Sequence, residues 1–166
     1  MIVLKTVLVA TDFGPAANAA LTYGWALARN FGAEIHLLHV MENSFLRASP
    51  ADPHAHRVAV IRTLHEQLTA GDRPKAHVVV ETSDNPADAI TEYANTANID
   101  LIVIGTNGRS GVAQLLVGSV AERVVRMARC PVLTVKHPEH EFVVPDEVPQ
   151  TTAQLEQGAR KGEVIP

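Results

Sequence analysis

The 166-residue sequence holds one cysteine, no lysine from 76 to 135, and no uninterrupted apolar stretch of the ~18 to 20 residues that a membrane helix needs. A single thiol, Cys130, can close no internal disulfide; placed before a proline in an apolar run, it reads as an inert packed side chain. The N-terminal "MIVLKTVLVATD" has no basic region leading to a small-residue cleavage site. These absences predict a cytoplasmic chain with no membrane partner. Gly-Lys-Ser/Thr and Gly-x-Gly-x-x-Gly are both missing, which sets aside P-loop NTPase chemistry and a dehydrogenase-type dinucleotide site. There is also no His-Glu-x-x-His, no Gly-x-Ser-x-Gly and no cysteine pair, so zinc peptidase, α/β-hydrolase and thiol redox readings have no foothold.

Charge is in short supply over most of the chain. Residues 1–136 carry twelve Lys/Arg and twelve Asp/Glu, whereas residues 137–166 carry two and six, so the whole net charge of −4 lies in the tail. A neutral body argues against sequence-independent nucleic-acid binding. The tail also holds four of the ten prolines, and the expected division is a domain over 1–137 and an acidic, extended or partly disordered segment over 138–166, within which "EFVVP" is the one candidate strand.

What is present is an alternation. Five apolar runs, at 6–10, 34–40, 77–81, 100–105 and 131–135, have the near-continuous hydrophobicity of strands covered on both faces. Between them, 15–32, 54–71, 85–98 and 118–129 read as helices. Pro15 and Pro86 suit first-turn positions, Asn85 is a candidate cap, Gly32 and Gly71 are candidate left-handed stops, and Val58, Ile61, Leu64 and Leu68 form an apolar stripe. Right-handed crossovers then predict an open parallel α/β sheet with helices on both faces. Residues 41–53 are expected to form a surface loop.

The segment "GTNGRSGVAQLLVGS" (105–119) leaves the fourth strand with four glycines in fifteen positions. In such a sheet, ligands sit beyond the carboxyl ends of the strands, where strand order reverses. Gly105, Gly108 and Gly111 permit positive φ and close approach of a ligand to the backbone, so that successive amides can converge on phosphate oxygens. Gly118 and Ser119 open the next helix, whose N-terminal amides favour an anion, and Arg109 can add a charged contact. A plain α/β turn is the competing reading, with Ser119 and Glu122 forming a capping box.

Gly105-x-x-Gly108, nine residues, then Gly118-Ser119 resembles the nucleotide loop of the universal stress protein family, in its ATP-binding branch. "VLVATDFG" and "IHLLHV" are similar to the same family, so the resemblance spans about residues 3–136. It implies a Rossmann-like sheet of five parallel strands in the order 3-2-1-4-5. It also implies that Thr11 and Asp12 lie by the adenine or ribose, that Val40 packs on the base, and that Gly105, Gly108, Arg109, Gly118, Ser119 and Val120 wrap ribose and phosphates. Asp12 bonded to its own turn, or Val40 as plain core, are the competing readings. The implied cofactor is ATP, alone or with magnesium. No resemblance extends over 138–166.

Phosphoryl transfer needs a metal clamp and a positioned nucleophile, and neither has a clear owner, so no catalytic residue is expected and hydrolysis, if any, is slow. The expected role is a nucleotide-binding stress-response or signalling module; a nucleotide-independent interaction scaffold and a dedicated ATPase are the alternatives. No metal site is expected either: His54 and His56 diverge on a helix, His137 and His140 lie near or in the tail, and His36 and His39 alternate along a strand and should hydrogen-bond locally. The short apolar "PVLTV" is an exposed sheet edge in the implied order, which predicts a homodimer through the fifth strand that a proline at Val135 would break.

Overall fold

A computed structural model describes residues 2–43, 52–68, 75–106 and 119–137. Five strands form one sheet: β1 (Thr6–Ala10), β2 (Glu34–Met41), β3 (Ala76–Thr82), β4 (Leu101–Gly105) and β5 (Val132–Val135). All neighbouring pairs are parallel and the order is 3-2-1-4-5. Four helices connect or flank them: α1 (Pro15–Phe31), α2 (Pro53–Leu68), α3 (Pro86–Thr96) and α4 (Ser119–Met127). This is the Rossmann-like α/β architecture expected.

The sheet divides the core in two. Val7, Val9, Ile35, Leu37 and Val103 pack with α1 and α2 on one face. Leu8, Leu38, Ile102 and Ile104 pack with α3 and α4 on the other. Alternate residues of one strand therefore serve opposite layers, which is why the runs are apolar throughout. Each fully buried Leu or Ile among them contributes about 1.5–3 kcal/mol.

The helix signals within the described residues hold with two exceptions, at Asn85 and along α2. Pro15 and Pro86 do open α1 and α3, and Gly32 ends α1 at φ 66°. Asn85 precedes α3, but its side chain makes no capping bond; Nδ2 donates to Asp88 Oδ2, and the Asn85 amide donates to Ser83 Oγ at 3.0 Å. In α2 the buried stripe is rotated from the expected one. Val60 and Leu64 are buried, Ile61 and Leu68 pack partly, and Val58 is exposed. Arg57 accounts for this by donating to the Val80 carbonyl at 2.8 Å, which turns that side of the helix to the sheet. Asp52 caps α2, accepting the His54 amide on Oδ1 at 3.0 Å.

The β5 ladder corrects the proline site. The Pro131 and Val135 carbonyls accept the Ile102 and Thr106 amides at 3.0 and 2.8 Å, so residues 131, 133 and 135 turn their polar backbone toward β4. Val135 is buried and its amide belongs to this ladder; exposed Thr134 faces the open edge. The readings for Gly71, Gly111 and the tail 138–166 fall outside the described residues. Among the described residues no helix is long and apolar enough to cross a membrane.

Candidate functional site

Three neighbouring strands end on one rim. The ladder sets Ala10 beside both Leu38 and Ile104, so the chain leaving β1 runs between the ends of β2 and β4. Thr11 is buried there: its amide donates to the Leu38 carbonyl at 2.9 Å, and its carbonyl meets His39 Nδ1 at 2.8 Å. Thr11 Oγ1 accepts the Phe13 amide at 3.0 Å, and Asp12 Oδ1 accepts the Gly14 amide at 2.8 Å. These two bonds hold Phe13 at φ 64°, a left-handed conformation that costs a non-glycine residue about 1–2 kcal/mol. The Phe13 ring also lies 4.6 Å from that of His39. Asp12 therefore does bond its own turn, through one oxygen, while its half-exposed carboxylate stays pinned at the strand end.

Gly105 closes β4, and the structure gives it a different task from the one expected. Its φ is not positive. A Cβ placed on it would lie 2.6 Å from the Ala16 carbonyl carbon and 2.7 Å from its oxygen. What approaches the bare backbone is the first turn of α1, which is thereby seated against the end of β4. Thr106, buried beyond it, donates its amide to Val135. Val40, near the end of β2, is half-buried and packs against the α3–α4 layer, as plain core would.

Ser119 and Val120 are the first residues of α4, Ser119 exposed and Val120 packed against the same layer. An ion pair of 3.2 Å links Arg123 of α4 to Asp88, in the first turn of α3, and ties the starts of the two helices together. No capping box forms: Glu122 Oε1 accepts from Arg126 Nη2 at 2.9 Å instead of folding back on the helix start. The amides of the first turn thus keep their affinity for an acceptor. Gly108, Arg109 and Gly118 lie outside the described residues; the structure sets Thr11, Asp12, Val40 and Gly105 at the ends of three adjacent strands, and Ser119 and Val120 at the start of α4, beside α3.

Sequence reasoning missed the opposite, amino end of the sheet. Asp100 Oδ2 accepts the amides of Lys5 and Thr6 at 2.7 and 3.0 Å, and those bonds, the Lys5 amide foremost, hold its carboxyl below the usual range. Glu34 takes Lys75 Nζ at 2.8 Å and His77 Nε2 at 3.0 Å on its two oxygens, and is held low by them in that order. His36 stands opposite His77 in the β2–β3 register, ring centroids 4.7 Å apart, and its Nδ1 meets Tyr93 Oη at 2.7 Å. Burial, then the neighbouring His77, pushes the His36 imidazole below its ordinary pKa. The partners of His36 and His39 are thus distant in sequence, where local bonds were expected. Only the i, i+2 spacing of Glu34 and His36 hinted at a shared face; His77 joins them through strand pairing. Cys130 is half-buried, and burial pushes its thiol up, which suits an unreactive side chain.

Comparison with known proteins agrees with this frame. The Universal stress protein family model matches residues 4–136. A universal stress protein of Methanocaldococcus jannaschii is 31% identical over 144 residues, covering 82% of this chain and 85% of that protein. The fold is shared with universal stress protein UspA from Lactobacillus plantarum, at TM-score 0.66 and 24% identity over 81% of this chain and 99% of that one. A universal stress protein solved in complex with cAMP superposes at TM-score 0.62, with 25% identity over 81% of this chain and 98% of that one.

Proposed function

The chain belongs to the universal stress protein family, and from that premise we propose that it is a binding module for adenine nucleotide, with ATP as its ligand. A relative of similar fold was solved with cAMP, which supports the ligand class. The observation that supports the reading is the shared rim: Thr11–Asp12, Val40 and Gly105 lie at the ends of three adjacent strands, and Glu122 pairs with Arg126 instead of capping the start of α4. Asp12 is positioned to accept from a ribose or base, Val40 offers an apolar surface, and the α4 amides with Ser119 suit a phosphate. Gly108, Arg109 and Gly118 complete the proposed set on sequence grounds. The proposed domain comprises 1–137, with 138–166 set off from it by its acidic, proline-rich composition.

The role is signalling or stress response by occupancy, with slow turnover at most. None of the described rim residues forms a nucleophile–base pair. A second copy is proposed to pair along β5, whose outer backbone is turned away from β4.

Calorimetric titration with ATP, ADP and AMP, with and without magnesium, tests this. The expected ATP dissociation constant is micromolar, about −8 kcal/mol. Asp12→Ala should weaken it about tenfold or more and Ser119→Ala about fivefold, since each removes one hydrogen bond to a polar or charged group. Absence of binding favours an interaction scaffold, and turnover above about 1 per second favours an ATPase.

A further inference from the structure

We propose that Glu34, His36 and His77 form a binding site for a divalent transition cation of the zinc class, at the amino end of the sheet and separate from the nucleotide rim. One ligand atom from each residue lies within 4.8 Å of the other two. Two imidazoles and a carboxylate are the donors that zinc takes in three-ligand sites, with a fourth position left to water.

The placement comes from rigid backbone. Glu34 and His36 are two apart on β2 and share its face toward α3, and His77 is the ladder partner of His36 on β3. A cation would replace the proton between His77 Nε2 and Glu34 Oε2. Those atoms are 3.0 Å apart, close to the roughly 3.3 Å between two ligands of a tetrahedral zinc, and the His36 ligand atom lies within 4.8 Å of both. The outer contacts also suit a metal. Tyr93 Oη holds His36 Nδ1, which orients the ring and leaves Nε2 as its ligand atom.

One group opposes the cation. Lys75 Nζ, 2.8 Å from Glu34 Oε1, repels it and occupies the second carboxylate oxygen. This gives the site an unusual signature: removing a charged neighbour should strengthen it. The site also owes nothing to the nucleotide reading. About 13 Å of strand separates His36 from Val40, so either conclusion can fail alone.

The test uses the full chain without an affinity tag, titrated with zinc chloride against a chromophoric chelator and with cobalt chloride followed by visible absorption. One zinc per chain is expected, with a dissociation constant of about 1 μM or below, and cobalt should give tetrahedral bands. His36→Ala and His77→Ala should abolish both signals, and Glu34→Gln should weaken binding at least tenfold. Tyr93→Phe should weaken it about tenfold through loss of the orienting bond. Lys75→Met should tighten it. Folding of each variant is checked by circular dichroism in chelator; should a histidine variant fail to fold, the surface changes Glu34→Gln and Lys75→Met decide. The proposal is overturned by no binding up to about 100 μM zinc, by equal binding in the His36→Ala/His77→Ala double variant, or by indifference to both Glu34→Gln and Lys75→Met.

Discussion

The two ends of the sheet are made from the same strands but use their polar side chains differently: against one another at the amino end, and to brace the backbone at the carboxyl end. At the amino end, polar side chains answer one another: Asp100 holds the Lys5 and Thr6 amides, Glu34 holds Lys75 and His77, and His36 holds Tyr93. At the carboxyl end, the chain spends stability on shape. Phe13 sits in a costly conformation, α1 is pressed against bare backbone at Gly105, and α4 begins without its capping box. Helix N-termini and strand ends gather only at the second end, because every crossover leaves a strand there and enters a helix. Binding by backbone amides therefore belongs to that end. Recognition at the amino end has to come from side chains.

The contrast can be broken by substitution, beginning where the effect is largest. Gly105→Val should be the most damaging change, since its Cβ meets the backbone of Ala16, which cannot rotate away. The expected loss is about 3 kcal/mol or more, and roughly 6–12 °C in calorimetric Tm. A melt within a degree of the parent would show that α1 is not seated on that glycine. Asp100→Ala comes next. It removes the acceptor of two amides, for about 1–2 kcal/mol at neutral pH by urea unfolding.

That second change has a pH signature with a definite sign. The folded-state pKa of Asp100 is depressed, so its contribution is fully present above the ordinary carboxyl value of 3.8 and is lost as pH falls through the depressed one. The gap between parent and variant should close in acid. A gap that persists undiminished at the lowest pH that still permits folding would assign the effect to packing instead of charge.

The smallest change in stability should come from Thr134→Pro, about 0.5 kcal/mol, because exposed Thr134 faces away from β4. Its effect is on assembly: light scattering should report monomers where the parent is dimeric. An unchanged dimer would rule out pairing along β5. Val135→Pro cannot serve for this purpose, since its amide is part of the inner ladder and the change would damage the sheet itself.

Most of the fold was legible because it rests on local chemistry. The strands are short runs that must be apolar on both sides, Pro15 and Pro86 mark helix starts by geometry, and Gly32 stops α1 in the one region glycine enters freely. Legibility failed where another group, near or far along the chain, competed for the expected role. Asn85 looked like a cap, yet Asp88 captures its side chain. Val58 seemed part of the α2 stripe, but Arg57 reaching the Val80 carbonyl turns it outward. On the rim, Gly105, Ser119 and Val120 were expected from one spaced motif and Thr11, Asp12 and Val40 from two further segments resembling the family, whereas the close approach at Gly105 was not, because Ala16 is 89 residues away along the chain.

By itself, the order of residues determined the alternation of strand and helix, the neutral body with its acidic end, and which loop carries the glycines; each is a property of neighbours along the chain. Tertiary structure alone decided that His77 meets Glu34 and His36, that Asp100 ties β1 to β4, and that Val135 looks inward. Those depend on strand register, where a slip of one residue would turn every side chain to the other face, and register is set by the packing of both layers at once.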